Sequence, residues 1–453
     1  MAARLTQRNV DLLTAPIDSS LRRFALPLGF SFLAQMFYSL IDRFYVSRLG
    51  DAAIAAIGAS DQLVFLSFTL GSGFAVGTGI IVARRTGEGN RTEANRTATQ
   101  AIVGMVMLAG LITGILYGLI PLLPTFFSFE PRVIGLSQQY LSMLFIGFIA
   151  NLVNFQISAM VRSTGNAVYP MMILLLTTVI NAVIAPFLIF GIGPFPRMEM
   201  SGAGLATALA QISGCIISAW ALTNGKATIH FDFSRFKLDL GLLARIAKLG
   251  LPASLQMMSV SINRLIIFSI VAAFGTNVVA AYTLGLTLDM VTYMIVFAMG
   301  LAVEIATGQN LGAGNVNRVV AYHRSAMRQL GILMTGLAVG VYFFGTYFAS
   351  VYTSDPQTLH EATDYMHVTV LGYIPFAIGL VSVRVISGAG AAFKSLAITA
   401  GSLLGLQLLT SWALSRTPLA QHGVWWGITA GYLFFAVISY LAVRSRSWVH
   451  VRV

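Results

Sequence analysis

The chain has 453 residues, of which 57% are hydrophobic and only 10% charged, against the roughly 25% charged of an ordinary soluble domain. So little charge excludes a water-facing surface, and the apolar residues fall in runs of about twenty or more, enough to cross ~30 Å of hydrocarbon as a helix. The 28 Lys and Arg against 16 Asp and Glu, a net charge of +12, come without RRM, KH or zinc-finger spacing, so the excess orients a membrane protein rather than binding nucleic acid.

The chain opens on a polar stretch, residues 1–23, with Arg4, Arg8, Arg22 and Arg23 and no early apolar core. It reads as a cytoplasmic N-terminal segment and not as a cleavable signal peptide. Six apolar spans follow at about 24–47, 53–82, 97–121, 133–159, 168–191 and 201–223. The next stretch, 224–246, is the most polar of the chain and reads as a cytoplasmic linker, with Lys226, Arg235, Lys237 and Arg245 in it and Lys248 just beyond. Six further spans lie at about 247–272, 278–307, 324–350, 362–386, 395–414 and 423–444, before a cytoplasmic tail, 445–453. The single cysteine, Cys215, cannot form an internal disulfide.

One displacement of 225 residues lays the second half on the first without a gap. Pro27 meets Pro252, Gly50 meets Gly275, and Gly87-Glu88-Gly89-Asn90 meets Gly312-Ala313-Gly314-Asn315. Pro131, Tyr140, Gly147, Gly165 and Gly202 meet Pro356, Tyr365, Gly372, Gly390 and Gly427. Compositional bias supplies Gly or Ala coincidences, but not Pro, Tyr and Asn in one register; internal symmetry of this kind is a transporter feature. The predicted fold is all-α and integral to the membrane: twelve transmembrane helices as two parallel six-helix repeats, an N-lobe (24–223) and a C-lobe (247–444), around a central cavity.

Charge placement checks the count. With a cytoplasmic N-terminus and twelve crossings, twenty-one Lys and Arg fall in inner segments and only Arg48, Arg132, Arg197 and Arg416 in outer loops. This is the positive-inside pattern, expected of a multi-pass protein of the cell's inner (plasma) membrane with both termini cytoplasmic.

Asp42 precedes Gly50, taken as the end of the first span, by eight residues, which places its carboxylate ~12 Å below the outer end. A carboxylate there costs on the order of 2.5–3.5 kcal/mol, a penalty usually met only where function needs it. Desolvation disfavours its charged form, and a cation or a hydrated cavity favours it. A group pushed both ways by a conformational change suits a carrier of H+ or Na+. Pairing with the adjacent Arg43 is poorly placed, because neighbouring helix residues point about 100° apart, whereas Tyr38 and Ser39 share its face; Arg43 is expected to snorkel to the outer interface. Asp61, Asp289 and Glu304 also fall at membrane depth and are expected to line a substrate cavity. Arg264 and Arg384 are their candidate counter-charges, and Asn154, Gln156 and Asn181 are further polar candidates in the first half. The prolines free backbone carbonyls, and the row Gly71, Gly73, Gly77 and Gly79 reads as close helix packing.

No G-x-x-x-x-G-K-[ST] loop is present, so the chain itself does not use ATP. No nucleophile or zinc motif is present either, so neither an enzyme nor a resident cofactor or metal is expected, beyond a possible Na+ at Asp42.

Leu26-Pro27 through Ile41-Asp42 to Leu49-Gly50 and then Ala55-Ala56-Ile57-Gly58 resembles the first helices of the multidrug and toxic compound extrusion (MATE) transporters. So do Met160-Val161-Arg162-Ser163-Thr164-Gly165-Asn166, Gly202-Ala203-Gly204-Leu205-Ala206-Thr207 and, most specifically, Gly308-Gln309-Asn310-Leu311-Gly312-Ala313-Gly314-Asn315. The resemblance covers essentially the whole chain. It implies export of cationic or amphipathic compounds in exchange for H+ or Na+, with Asp42 as the first-helix acid and Tyr38, Asn181 and Thr207 grouped around it. Two departures favour protons: Ala185 precedes Pro186 where many members carry an acid, and the tenth span has none from Gly372 to Arg384. A monomer in contact with membrane lipid is expected. The alternative is a lipid-linked precursor flippase of a related two-lobe family, with Arg264 and Arg384 on a phosphate. A major-facilitator carrier is disfavoured, because Ala83-Arg84-Arg85-Thr86-Gly87 lacks that family's D-R core.

Overall fold

The computed structural model describes residues 9–123, 130–223, 229–231 and 236–451. Arg4, Arg8, Lys226, Arg235 and Arg452, counted above among the inner-side charges, lie outside the described residues. Among the described residues every regular element is helical, and twelve helices are long and apolar enough to span a membrane. They are α1 (Ile17–Ser47), α2 (Asp51–Gly87), α3 (Arg91–Leu122), α4 (Pro131–Ser163), α5 (Val168–Phe190) and α6 (Glu199–Thr223). The second half holds α7 (Leu240–Ala272), α8 (Thr276–Gly312), α9 (Val316–Ser350), α10 (Pro356–Gly388), α11 (Ala392–Ser415) and α12 (Ala420–Arg444). Several run past the apolar spans; α1 starts at Ile17 because its first turns carry Asp18, Arg22 and Arg23 and are solvated.

The 225-residue register holds in the backbone. α2 and α8 start at Asp51 and Thr276 and end at Gly87 and Gly312, and α4 and α10 start at Pro131 and Pro356. Both α4 and α10 tighten into one 3-10 turn, at Phe145–Gly147 and Val370–Gly372. Gly50 and Gly275, which turn the chain between the first two helices of each half, have φ of 102° and 105°. Gly165 and Gly390 have φ of 95° and 92°, a region that side-chain-bearing residues rarely enter.

Two compact units result, and their limits differ from the lobes drawn at 24–223 and 247–444. One holds Val10 and Phe30–Ser254, and the other holds Asp11–Gly29 with the chain from Leu255 onward. The divisions thus fall inside α1 and α7, after Gly29 and Ser254, two residues beyond Pro27 and Pro252 and themselves in the repeat register. Hydropathy cannot place them, because a proline-interrupted helix stays apolar while its packing partner changes.

Inside the first unit, the opening half of α7 lies hard against α2. A Cβ on Gly73 would come within 2.6 Å of the Gly250 carbonyl, and one on Gly77 within 2.8 Å of the Gly250 nitrogen. The hydroxyl of Ser254 donates to the Thr69 carbonyl at 2.8 Å. Together with Gly71 against Leu152, these contacts account for the glycine row as packing. Inside the second unit, the segment before α1 is tied to the α8–α9 corner. The Leu12 carbonyl accepts from Asn310 at 3.1 Å, Tyr322 at 3.0 Å and Arg318 at 3.3 Å, and Asp18 accepts from Ser325 and Arg328. Asn310 of the G-Q-N-L-G-A-G-N run is therefore a side-chain clasp for the start of the chain.

Gly204 of α6 and Gly110 of α3 separate these effects. A Cβ on Gly204 would meet the Tyr140 carbonyl and sit 3.0 Å from the Leu144 nitrogen, whereas one on Gly110 would meet nothing within 4 Å. Gly204→Ala is expected to lose roughly 1–3 kcal/mol by overpacking. Gly110→Ala is expected to be neutral or to gain up to about 1 kcal/mol of helix propensity. Thermal unfolding of the purified variants in one detergent compares them directly.

Candidate functional site

The first unit gathers a polar group around the end of α1. Asp42 is buried at 8% exposure, five residues before the helix ends at Ser47, so it lies ~7.5 Å from that end. This is shallower than the ~12 Å counted from Gly50, because Arg48–Gly50 form the turn and not the helix. Tyr38, one turn earlier, is buried beside it. Asn181 of α5 donates to the Thr207 hydroxyl of α6 at 3.2 Å, and both are buried. The Tyr38 hydroxyl faces Thr207 and Gln211 but closes no hydrogen bond, and Asp42 Oδ1 has no hydrogen-bond partner. Tyr140 of α4 presents its hydroxyl to the Asp42 carboxyl. Tyr38 thus lies between Asp42 and Thr207, and Asn181 joins through Thr207, with Tyr140 and Gln211 as neighbours not singled out in advance. For Tyr140 the usable signal was its repeat match to Tyr365; for Gln211 it was its place one turn after Thr207.

Arg43 does not reach for the helix end. Its guanidinium pairs with Asp61 of α2 at 2.9 Å, both side chains being well exposed at 61% and 40%, and the charges of both act on Asp42. Pro186 in α5 lacks the N–H that would bond the Ala182 carbonyl, and the Tyr45 hydroxyl of α1 fills that place at 3.2 Å. A carbonyl freed by proline therefore seats α1 on α5. Asn154 is buried and accepts from Ser218 of α6 at 3.0 Å, which joins two helices within the bundle. Gln156 is fully buried with neither end of its amide bonded.

The acids of the second unit are held differently. Glu304 is bound by Arg384 at 2.9 Å and by the Ser387 hydroxyl at 2.6 Å, with 5% and 14% of the two ionic side chains exposed. Arg384 also lies over the Phe297 ring at 5.1 Å. It is the counter-charge to Glu304. Asp289 accepts from the hydroxyls of Tyr365 at 2.6 Å and Tyr373 at 2.9 Å. Arg264 faces Asp289 without pairing with it and lies 5.9 Å from the Tyr293 ring centroid. Among the described residues no three of His, Cys, Asp and Glu gather as metal ligands.

Twelve membrane-length helices in two repeat-related halves, with carboxylates buried among hydroxyls and amides at hydrocarbon depth, define a polytopic membrane transporter. The family model described as MatE matches residues 27–187 and 252–413, once in each half, and the chain belongs to that family. It is 27% identical over 400 residues to a protein of Shewanella oneidensis named FAD transporter, covering 88% of each chain. It is also 27% identical over 435 residues to the probable multidrug resistance protein YoeA of Bacillus subtilis, covering 93% of this chain and 92% of that one. Among solved structures, a MOP superfamily transporter from Pyrococcus furiosus superposes with a TM-score of 0.89 at 24% identity, over 99% of this chain and 100% of the other. Its fold is therefore the fold of this chain.

The Glu304–Arg384 pair yields a stability test. Removing one partner leaves a buried charge uncompensated, at a cost of about 3–5 kcal/mol. Glu304→Gln and Arg384→Met should each lower the unfolding temperature sharply, and the double variant should lose less than the sum. Additive losses in that double-mutant cycle would show that the pair is not coupled.

Proposed function

We propose that the protein is a secondary antiporter that exports cationic or amphipathic drugs and toxic compounds in exchange for protons, by alternating access, with Asp42 as the coupling carboxylate. The observation that carries this is the state of Asp42: a buried acid with one oxygen unpartnered, its neighbours hydroxyls and amides, and the nearby arginine engaged by Asp61. Such a group can take up a proton without breaking an ion pair. Sodium would need several more oxygens with lone pairs directed at it. The chain carries Ala185 before Pro186 and so offers no second acid there.

In this mechanism a proton from the outer side neutralises Asp42. The neutral carboxyl draws less on Tyr140 and on the unbonded Tyr38 hydroxyl, so the last turns of α1 repack. Substrate affinity then falls in the outward-facing state. Coupling requires only that the two states bind the substrate unequally, since a ligand with equal affinity for both shifts nothing. The protein works in the cell's inner membrane with both termini cytoplasmic, as a monomer in lipid.

Asp42→Asn keeps the shape and removes the proton. In cells without other pumps it is expected to abolish drug resistance at unchanged membrane abundance, and unchanged resistance would sink the assignment. In proteoliposomes with separately imposed proton and sodium gradients, export of a fluorescent organic cation should follow the proton gradient alone. FAD belongs in the substrate panel because one relative is named for it; transport of FAD with no movement of organic cations would overturn the substrate class.

A further inference from the structure

We propose that the first unit carries a binding site for one phospholipid with a zwitterionic headgroup that ends in a primary ammonium, of the phosphoethanolamine kind. The headgroup sits in a cavity walled by Arg85, Glu93, Arg96, Thr97, Asp239 and Arg245, and the site does not rest on the antiporter function. The cavity has a volume of about 270 Å³, room for roughly nine waters at ~30 Å³ each. Its walls come from the last turns of α2, the first turns of α3, and the start of α7 with Asp239 just ahead of it. All of them lie within Phe30–Ser254.

The internal repeat accounts for the space. A displacement of 225 residues lays Lys237 on Leu12, Glu93 on Arg318 and Thr97 on Tyr322. In each unit a side-chain amide clasps the carbonyl at the first of these positions: Asn310 donates to Leu12 at 3.1 Å, and Gln100 donates to Lys237 at 2.5 Å. In the second unit the Arg318 guanidinium and the Tyr322 hydroxyl also close on the Leu12 carbonyl, and Arg318 reaches the Ala15 carbonyl as well. The first unit keeps the clasp but has Glu93 and Thr97 in their places, and both line the cavity. The cavity therefore lies where the second unit places a guanidinium and a phenol ring.

The charges around the cavity name the ligand. Arg85 is engaged by Glu88 at 2.7 Å, and Arg96 is shared between Glu93 at 3.3 Å and Asp239 at 2.9 Å. One cation thus serves two carboxylates, and the second Glu93 oxygen has no partner among the described residues. Arg245 makes no ion pair or hydrogen bond among the described residues either. The walls therefore offer one surplus positive and one surplus negative charge. A phosphodiester on Arg245 and an ammonium between Glu93 and Asp239 satisfy both, and a primary ammonium brings the N–H donors that a quaternary one lacks. The source is a lipid because Leu238 and Leu240, on either side of Asp239, are 45% and 67% exposed beside the ends of membrane-length helices. Apolar side chains alternating with Lys237 and Asp239 suit the boundary between headgroups and acyl chains.

The test is native mass spectrometry of the full-length protein in detergent, titrated with dioctanoyl phosphatidylethanolamine, dioctanoyl phosphatidylcholine and soluble glycerophosphoethanolamine. The ethanolamine lipid is expected to saturate one site, and the choline lipid to bind it about tenfold more weakly because it loses charge-assisted hydrogen bonds. Arg245→Gln, at an exposed position, should weaken the ethanolamine lipid about tenfold as well. Lys248→Gln removes a neighbouring exposed charge that does not line the cavity, and should leave the affinity unchanged. Thr97→Tyr installs the residue of the second unit and should fill the cavity and abolish binding. Equal affinity for the two lipids, or equal losses from Arg245→Gln and Lys248→Gln, overturns the site. Glycerophosphoethanolamine binding as tightly as the lipid overturns the lipid as its occupant. None of these readouts involves transport, so a failure here leaves the antiporter function standing, and a chain that exports no drugs leaves the site standing.

Discussion

Hydrocarbon offers no partner to a backbone N–H or C=O, so every such group within the bilayer is satisfied by the chain itself. The twelve helices are the direct consequence, and the local departures from regular helix show the same constraint at work. Where Pro186 leaves the Ala182 carbonyl without its usual donor, the Tyr45 hydroxyl supplies one and thereby fixes α1 to α5. Where α4 and α10 tighten at Phe145–Gly147 and Val370–Gly372, the backbone remains bonded through the 3-10 turn while the helix is re-aimed. Two buried acids lie beside these departures: Asp42 one turn before Tyr45, and Asp289 between tyrosines on either side of the α10 break.

Solvating a buried charge is the same problem for side chains, and the two units solve it in more than one way. Glu304 is neutralised by Arg384. Asp289 is stabilised by hydroxyl donors alone, and Asp42 is left part-satisfied. The ion pair has no counterpart in the first unit, since Glu304, Arg384 and Ser387 are matched there by Gly79, Ala159 and Arg162. The halves thus share a backbone frame while their charges differ.

The proline and glycine positions belong to the frame. Gly29 and Ser254 mark where α1 and α7 pass from one compact unit to the other, just past Pro27 and Pro252. Gly73, Gly77 and Gly250 bring the opening half of α7 against α2. The first-unit site therefore sits on a helix whose beginning is packed in the second unit, clasped there by Asn310, Arg318 and Tyr322 around the Leu12 carbonyl.

From sequence alone came the twelve spans, the 225-residue repeat with its glycines, and Asp42 as the acid at depth. Each follows from properties that run along the chain: a hydrocarbon thickness converted to residues, a fixed displacement, a charge in an apolar run. The family resemblance added Tyr38, Asn181 and Thr207, which the structure links in sequence from Asp42 through Tyr38 and Thr207 to Asn181. What tertiary structure alone decided was which polar group meets which. Arg43 took Asp61, 18 residues away, while Glu304 took Arg384 and Asp289 took Tyr365 and Tyr373 across 80, 76 and 84 residues. The unit boundaries inside α1 and α7 were decided there too. Such choices depend on the rotation of each helix and the identity of its neighbours, and hydropathy is blind to both, because a helix turned about its axis has the same composition.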